Sequence, residues 1–372
     1  MRQIPALLAR GGSSRGLLIL EDAMSDMSQE QRLAAFAFAV GSPDPDARQV
    51  NGVGGGNATT SKVAIVAPSA DPKHDVDYSF YQVIVSSGES ETRGTCGNLV
   101  AAVGQFAIEQ GIVAATAPST RVMIRDMNTS QSIGVDVPVA DGKVVYAGSH
   151  VIAGVPGSGA PIPVRFLEPA GRVSGTLLPS GHLQEDIEID GRVLTVSLID
   201  SVNPVALIHA TSLPARTPWD LVGVEKNTDL CALLERLRRI AAKRFGLAES
   251  EELAHVQSPF LPFVGFYRDP LMGELPGSFT PAPEADATVR LMSGGQPHRA
   301  VPLSAGLATA TLARLRMLEA DSGLSSPTTI RLEHPSGLIE VEVDASLEGH
   351  RVHSVGVVQT ARPIMTGTIY LP

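Results

Sequence analysis

The sequence predicts an α+β protein built from two similar halves. Many glycines (36) and prolines (27) with few aromatic residues (4%) are typical of short strands joined by tight turns. Apolar residues at helical spacing follow Cys96 and, again, Ser304. In each case a strand pattern, at Ile124 and at Ile330, begins one helix and one turn later. A duplicated helix–strand unit accounts for this repetition.

The first third of the chain contains two glycine-rich loops that each run into a strand. The loops are residues 10–16 and 52–57, and the apolar strands that follow them are 17–20 and 63–66. Residues 78–85 form a third predicted strand, because they are rich in β-branched and aromatic side chains.

The remaining elements divide the chain into two predicted domains. A helix begins after Cys96 and stops before Gly111, and turns dominate residues 154–181. Further predicted strands are 122–124, 133–137, 143–146 and 193–199, and further predicted helices are 230–244 and 305–318. We therefore expect one domain over residues 1–185 and a second over 186–362, with the option that a final strand, 363–372, returns to the first.

Composition and charge narrow the classes of partner. The 372 residues suit two domains, and a net charge of −10 argues against nucleic acid or an anionic membrane as the main partner. We expect no signal peptide at the N-terminus, and the sequence has no run of about 20 apolar residues. Cys96 and Cys231 lie far apart without metal-ligand spacing, which favours a reduced, cytoplasmic protein without a metal site.

Cys96 is the first candidate for chemistry. It precedes Gly97 and Asn98 at a predicted helix start, where unpaired N–H groups and the helix dipole favour an anion. Such positions lower the pKa of a thiol and make it usable as an acid or base. The alternative is a buried cysteine that acts as a small apolar residue, which is the interpretation we favour for Cys231.

Lys62 is the second candidate. It lies between a glycine-rich loop and an apolar strand, where burial would lower the pKa of its amine. The alternative is an exposed lysine at a strand edge. Ser13, Ser14, Arg15 and His298 lie in polar, glycine-rich segments that could receive a carboxylate, although such segments are often only turns and a single histidine is often structural.

An ordered set of motifs along nearly the whole chain resembles the PrpF-like family of 2-methylaconitate, methylitaconate and 4-oxalomesaconate isomerases. The segments that carry the resemblance are residues 10–16, 41–44, 52–56, 60–62, 82–83, 96–98, 128–129, 179–181, 203–204, 298–300 and 360–362. The resemblance implies the fold of diaminopimelate epimerase, with two pseudo-symmetric domains, each a curved sheet around a central helix, and a site in the cleft between them.

The same resemblance implies which residues act. Cys96 matches the catalytic cysteine and Lys62 the catalytic lysine, whereas Ser304 stands where the epimerases carry a second thiol. Because a serine hydroxyl is too weak an acid or base for that role, two-thiol epimerisation is disfavoured. The expected substrate-binding residues are Ser13, Ser14, Arg15, Ser61, Gly97, Asn98, His298 and Ser304.

The implied reaction is a proton shift on an unsaturated tricarboxylate, such as 4-oxalomesaconate or 2-methylaconitate, without metal or organic cofactor. Either the double bond migrates or its geometry changes, and Lys62 is the preferred base with Cys96 the acid. Two alternatives stay open: an amino-acid epimerase and a non-catalytic protein that binds small acids. Ser13 and Arg15 replace the family's usual threonine and lysine, so the substrate is left open, as is assembly into a homodimer.

Overall fold

The computed structural model describes residues 2–272, 282, 284–325 and 328–371. The chain forms two compact units: residues 1–165 with 358–372, and residues 166–357. It passes between them within two strands, Ile162–Leu167 and Arg351–Gln359.

The strands, in chain order, are β1 (Arg2–Gly11), β2 (Ser14–Leu20), β3 (Lys62–Pro68), β4 (Val76–Val83), β5 (Ser90–Glu91), β6 (Ser119–Asp126), β7 (Ser132–Ala140), β8 (Lys143–Val144), β9 (Ile162–Leu167), β10 (Glu185–Ile189), β11 (Arg192–Ser201), β12 (Asn203–His209), β13 (Phe263–Arg268), β14 (Ala287–Ser293), β15 (Gln296–Pro297), β16 (Thr328–His334), β17 (Gly337–Ser346), β18 (Arg351–Gln359) and β19 (Ala361–Leu371). The helices are α1 (Gln29–Val40), α2 (Gly97–Glu109), α3 (Leu221–Lys226), α4 (Thr228–Arg244), α5 (Ala254–Gln257) and α6 (Leu303–Ala320). Among the described residues, none of these helices is long and apolar enough to cross a membrane.

In the first unit the sheet wraps around α2. Strand β1 pairs with β19 and β2, β2 runs parallel to β3, β3 pairs with β4, and β4 runs parallel to β6. Helix α2 contacts β1, β2, β3, β6, β7, β8 and β19, and its residues from Gly97 to Ile108 are all buried. A helix that is apolar on every side needs such an enclosure. Helix α1 packs on the outer face of the sheet, with Phe36 against Leu17 and Ile19 in one apolar cluster.

The second unit repeats this order of connections. Strands β11 and β12 form a hairpin, and β12 runs parallel to β13. Strand β13 pairs with β14, and β14 runs parallel to β16, which pairs with β17. Helix α6 occupies the position of α2 and contacts β11, β12, β14, β16 and β17. The prediction of two similar α+β halves with a central helix in each is therefore confirmed.

The local predictions differ from the structure at boundaries, in helix α1 and in several strands that were not predicted, among them β1, β9, β12, β13, β14 and β18. The predicted domain boundary near Glu185 falls inside the second unit, because Gly171 and Val173 already bond to Asp200 of β11. The final strand, predicted from residue 363, begins at Ala361 and pairs with β1 of the first unit. Helix α1 was not predicted.

Candidate functional site

One face of the β2–β3–β4–β6 sheet points toward α2 and carries the polar residues of the site. A Cβ on Gly16 would lie 3.0 Å from Leu99 of α2, so Gly16 and its partner Lys62 share this inner face. Lys62 pairs with Gln82. Side chains alternate between the two faces along β4, so Phe80 and Tyr78 lie on the same face as Gln82. Asp126 of β6 is the partner of Tyr78. The inner face thus carries five residues: Lys62, Gln82, Phe80, Tyr78 and Asp126.

Cys96 lies at the start of the enclosed helix. It is the residue immediately before α2, has extended backbone angles (φ −103°, ψ 90°), and only 6% of its surface is exposed. The first turn of α2 contains no acidic residue to neutralise the free N–H groups. The free N–H groups at this point can therefore receive a bound carboxylate. The prediction that Cys96 opens a helix is confirmed.

Lys62 is buried, which agrees with one of the two alternatives that the sequence left open and not with an exposed lysine at a strand edge. Its exposed fraction is 9%, its Nζ lies 5.0 Å from the centre of the Phe80 ring, and Nζ donates to Oε1 of Gln82. Burial lowers the pKa of the amine, and the charge of an ionised Cys96 acts in the opposite direction. Within the described ranges no carboxylate forms an ion pair with Lys62. The neutral form of the amine is therefore favoured more than in a lysine exposed to water.

Tyr78 interacts with both Cys96 and Asp126. Burial raises the pKa of Tyr78 well above its ordinary value, and the charges of Cys96 and Asp126 raise it further. Burial also raises the pKa of Asp126 to about 6, although the Thr95 side chain and the N–H groups of Asn128 (2.8 Å) and Thr129 (3.1 Å) stabilise the carboxylate. The segment before Cys96 is therefore anchored to a buried carboxyl group.

The β1–β2 hairpin is tied to the first turn of α2. Ser13 N–H donates to Oδ1 of Asn98 (3.3 Å), and Nδ2 of Asn98 donates to the Ser13 hydroxyl (3.2 Å). Gly12 has a φ of +51°, and a Cβ there would lie 2.2 Å from Oδ1 of Asn98. The structure therefore brings Ser13, Gly97 and Asn98 to the helix start with Cys96.

Ser14 is buried in β2 and, two residues before Gly16, shares its inner face. Two other predicted residues of the first unit are placed differently. The Ser61 hydroxyl lies in hydrogen-bonding distance of Gln49 Oε1 (2.9 Å) and Asn57 O (2.8 Å). Arg15 shares the face of Leu17, which packs against α1, and donates to the Val53 carbonyl (3.2 Å). The side chains of Lys62 and Arg15 thus point to opposite faces of the sheet.

The other two predicted residues lie in the second unit. Ser304 is in the first turn of α6, is 4% exposed, and accepts a hydrogen bond from Nδ2 of Asn203 (2.8 Å). It therefore occupies the position in the second half that corresponds to the start of α2. Nδ1 of His298 bonds to the Ala300 carbonyl within its own loop.

Gln82, Tyr78 and Asp126 were missed as individual members of the site. The signal for two of them was present, since Tyr78, Phe80 and Gln82 alternate along a predicted strand and Gln82 is a polar residue on an otherwise apolar face. Asp126 could not be found in this way, because its proximity to Tyr78 comes from a parallel strand pair across the α2 connection.

A sequence model describing the PrpF protein matches residues 1–372 of the chain. The chain belongs to the PrpF family. Among PrpF-related proteins, the 3-methylitaconate isomerase of Eubacterium barkeri is 33% identical over 99% of this chain and 97% of that protein. The 4-oxalomesaconate tautomerase of Pseudomonas putida is 34% identical over 99% of this chain and 96% of that protein.

Solved structures agree with the PrpF assignment and with the predicted fold. A crystal structure of methylitaconate-delta-isomerase matches with a TM-score of 0.77 and 31% identity, over 99% of this chain and 95% of that one. A hydroxyproline epimerase from Agrobacterium vitis matches with a TM-score of 0.53 at 11% identity, over 99% and 92% of the two chains. The second likeness concerns the fold alone and confirms the epimerase-like architecture.

Proposed function

We propose that this PrpF-family protein is an isomerase that shifts a proton on an unsaturated polycarboxylate, with Lys62 as base and Cys96 as acid. The observation that carries the proposal is a buried lysine without a carboxylate partner in the described ranges, close enough to a buried thiol at a helix start for their charges to interact. An amine and a thiol in such surroundings can exchange protons near neutral pH.

The neutral Lys62 amine removes a proton from a carbon next to the conjugated double bond. The C–H electron pair forms the new double bond, and the displaced pair gives an enolate-like anion at the start of α2. Cys96 Sγ then delivers its proton to the allylic carbon. One C–H and one S–H bond break while one N–H and one C–H bond form, and transfer of the proton from Nζ to Sγ restores both groups. In the reverse direction the two residues exchange roles.

The names of the relatives favour the class of substrate. A 3-methylitaconate isomerase and a 4-oxalomesaconate tautomerase both rearrange double bonds in molecules that carry several carboxylates. We extend this to a tricarboxylate such as 4-oxalomesaconate or 2-methylaconitate for the present chain. Amino-acid epimerisation is the second candidate, because the fold is shared with a hydroxyproline epimerase, but Ser304 leaves the second helix start without a thiol.

The remaining predictions belong to the same proposal. Ser13 and the first turn of α2 are the donors we assign to a substrate carboxylate, and Ser304 and His298 stay predictions for a second one. We propose a cytoplasmic enzyme that acts on a free small molecule and needs neither metal nor organic cofactor. Assembly into a homodimer stays open.

A substrate panel tests this function. Purified protein is incubated with 4-oxalomesaconate, 2-methylaconitate and 3-methylitaconate, and in parallel with proline, hydroxyproline and diaminopimelate, while proton NMR follows the products. We expect isomerisation of at least one polycarboxylate and no change in any amino acid. Inversion of an amino acid without conversion of a polycarboxylate would replace the proposal with the epimerase alternative.

A further inference from the structure

We propose that Gln82 is a positioning residue for Lys62, because its clamped side-chain amide aims an uncharged oxygen at Nζ and keeps the amine without a counter-charge. The inference deepens the proposed function, in which Lys62 is the base. It assigns the task of holding that base to a residue on the neighbouring strand.

The orientation of the Gln82 amide is fixed by its own hydrogen bonds. Nε2 donates to the Ser61 carbonyl (3.0 Å) and to the Val83 carbonyl (3.3 Å). A flipped amide would turn its oxygen toward these two carbonyl oxygens and its NH₂ group toward the Lys62 amine. Only the observed orientation satisfies all partners, so Oε1 must face Nζ.

The clamp also controls where the lysine can point. Lys62 and Gln82 are directly opposite on the antiparallel pair β3–β4, and the Ser61 carbonyl that holds Gln82 belongs to the residue before Lys62. Displacement of the Gln82 amide would therefore disturb both the direction of the amine and the backbone that carries it.

The chemistry of glutamine, as opposed to glutamate, matters at this place. The described groups around Nζ are the neutral Gln82 from β4, the Phe80 ring from β4 and Cys96 at the start of α2. Replacing the amide with a carboxylate of nearly the same shape would add a negative charge that favours the ammonium form of Lys62. An amide can direct the amine without protonating it.

The titration of Lys62 can be measured directly, because the chain contains only five lysines: Lys62, Lys73, Lys143, Lys226 and Lys243. Protein labelled with ¹³C at lysine Cε is titrated by NMR, and the Lys62 signal is assigned by its loss in Lys62→Arg. We compare wild type with Gln82→Glu, with Gln82→Met, and with Gln110→Glu as a charge control at an exposed site.

We expect Gln82→Glu to raise the Lys62 midpoint by at least about one pH unit and to lower kcat at neutral pH about tenfold or more. Gln82→Met should leave the midpoint unraised but lower kcat about tenfold or more with little change in KM, since only the direction of the amine is lost. Gln110→Glu should match wild type. An unchanged midpoint in Gln82→Glu, or a wild-type kcat in Gln82→Met, would overturn the inference. The NMR titration needs no substrate, so it can succeed or fail independently of the proposed isomerase activity.

Discussion

Asp126 of β6 pairs in register with Tyr78 of β4, and both side chains are completely buried. The Asp126 carboxyl bonds to the side chain of Thr95, the residue before Cys96. A parallel strand pair thus places a titratable carboxyl group beneath the segment that holds the thiol. This relationship has a consequence for stability that can be measured without a substrate.

The first prediction concerns the pH dependence of Asp126. Its pKa is raised to about 6 in the folded protein, from an ordinary value of 3.8, so the folded state favours the protonated carboxyl group. Its contribution to stability is complete below the ordinary pKa and is lost as pH rises through about 6. Between about pH 4 and pH 7 the free energy of unfolding of wild type should therefore fall by about 2–3 kcal/mol more than that of Asp126→Asn. Urea denaturation at several pH values measures it.

Asp141→Asn is the control for this experiment, since Asp141 is exposed in the turn after β7. Its pH profile should follow that of wild type. A profile for Asp126→Asn parallel to that of wild type would contradict the raised pKa.

The second prediction concerns His209 in the other unit. Its ring is buried and bonds to Ser197 (2.9 Å), Tyr267 (3.0 Å) and Gln184 (2.9 Å). Burial, with a smaller contribution from the charge of Arg316, lowers its pKa from 6.5 to about 3. Because the folded pKa is depressed, the neutral ring supports stability above about pH 6.5, and this support is lost as pH falls toward 3.

His209→Gln should therefore flatten the acid side of the stability profile. Between about pH 6.5 and pH 4.5 the wild-type free energy of unfolding should fall by about 2–3 kcal/mol more than that of the variant. His255→Gln, at an exposed position, is the matched control. Equal acid slopes in wild type and His209→Gln would show that the ring is not held neutral.

The third prediction concerns the contact between Gly11 and α2. A Cβ at Gly11 would lie 2.4 Å from the Asn98 carbonyl oxygen and 2.9 Å from Leu99 Cα, both of them backbone atoms. Gly11→Ala should destabilise the protein by about 1–3 kcal/mol, because the hairpin or the helix must shift. Thermal unfolding measures the effect. Gly134→Ala, whose Cβ would meet only Met123 Sδ at 3.6 Å, should stay within about 0.5 kcal/mol of wild type, and a similar loss in both variants would refute the close approach.

An element of the fold could be predicted from the sequence where its pattern lies in neighbouring residues. Helix α2 was predictable because its apolar spacing and the stop at Gly111, which has a φ of +71°, are both local. Helix α1 was missed although Ser28 and Gln31 form a capping box, because its apolar residues run together as alanine and phenylalanine without clear spacing. Strand β1 was missed because its main partner, β19, lies at the other end of the chain, so the pairing leaves no local signal.

The candidate site shows the same limit. The position of Cys96 at a helix start followed from its immediate neighbours in sequence, whereas the neighbours of Lys62 left both a buried and an exposed lysine open. The direction of Arg15 did not follow, because the face to which it points depends on the register of β2, and that register is set by Gly16 against α2. The clamp on Gln82 requires the β3–β4 register as well.

The fourth prediction separates the two cysteines. The charge of an ionised Cys96 acts on Lys62, whereas Cys231 lies on α4, where burial raises the pKa of its thiol and its Sγ donates to the Val224 carbonyl (3.4 Å). Cys96→Ser should lose activity by about 100-fold or more, since a hydroxyl is a far weaker acid, and Cys231→Ser should keep nearly all of it. Initial rates on the substrate identified in the panel decide between them. A large loss in Cys231→Ser with a folded protein would move the acid to the second unit.

Deuterium incorporation during turnover tests the central claim most directly. Wild type, Lys62→Ala, Cys96→Ser and Cys231→Ser are incubated in deuterated water with the panel of unsaturated polycarboxylates, and proton NMR follows each carbon position. Wild type and Cys231→Ser should place solvent deuterium at the allylic carbon of the product, while Lys62→Ala and Cys96→Ser should do so at least about 100-fold more slowly. Undiminished isomerisation by folded Lys62→Ala or Cys96→Ser would contradict it.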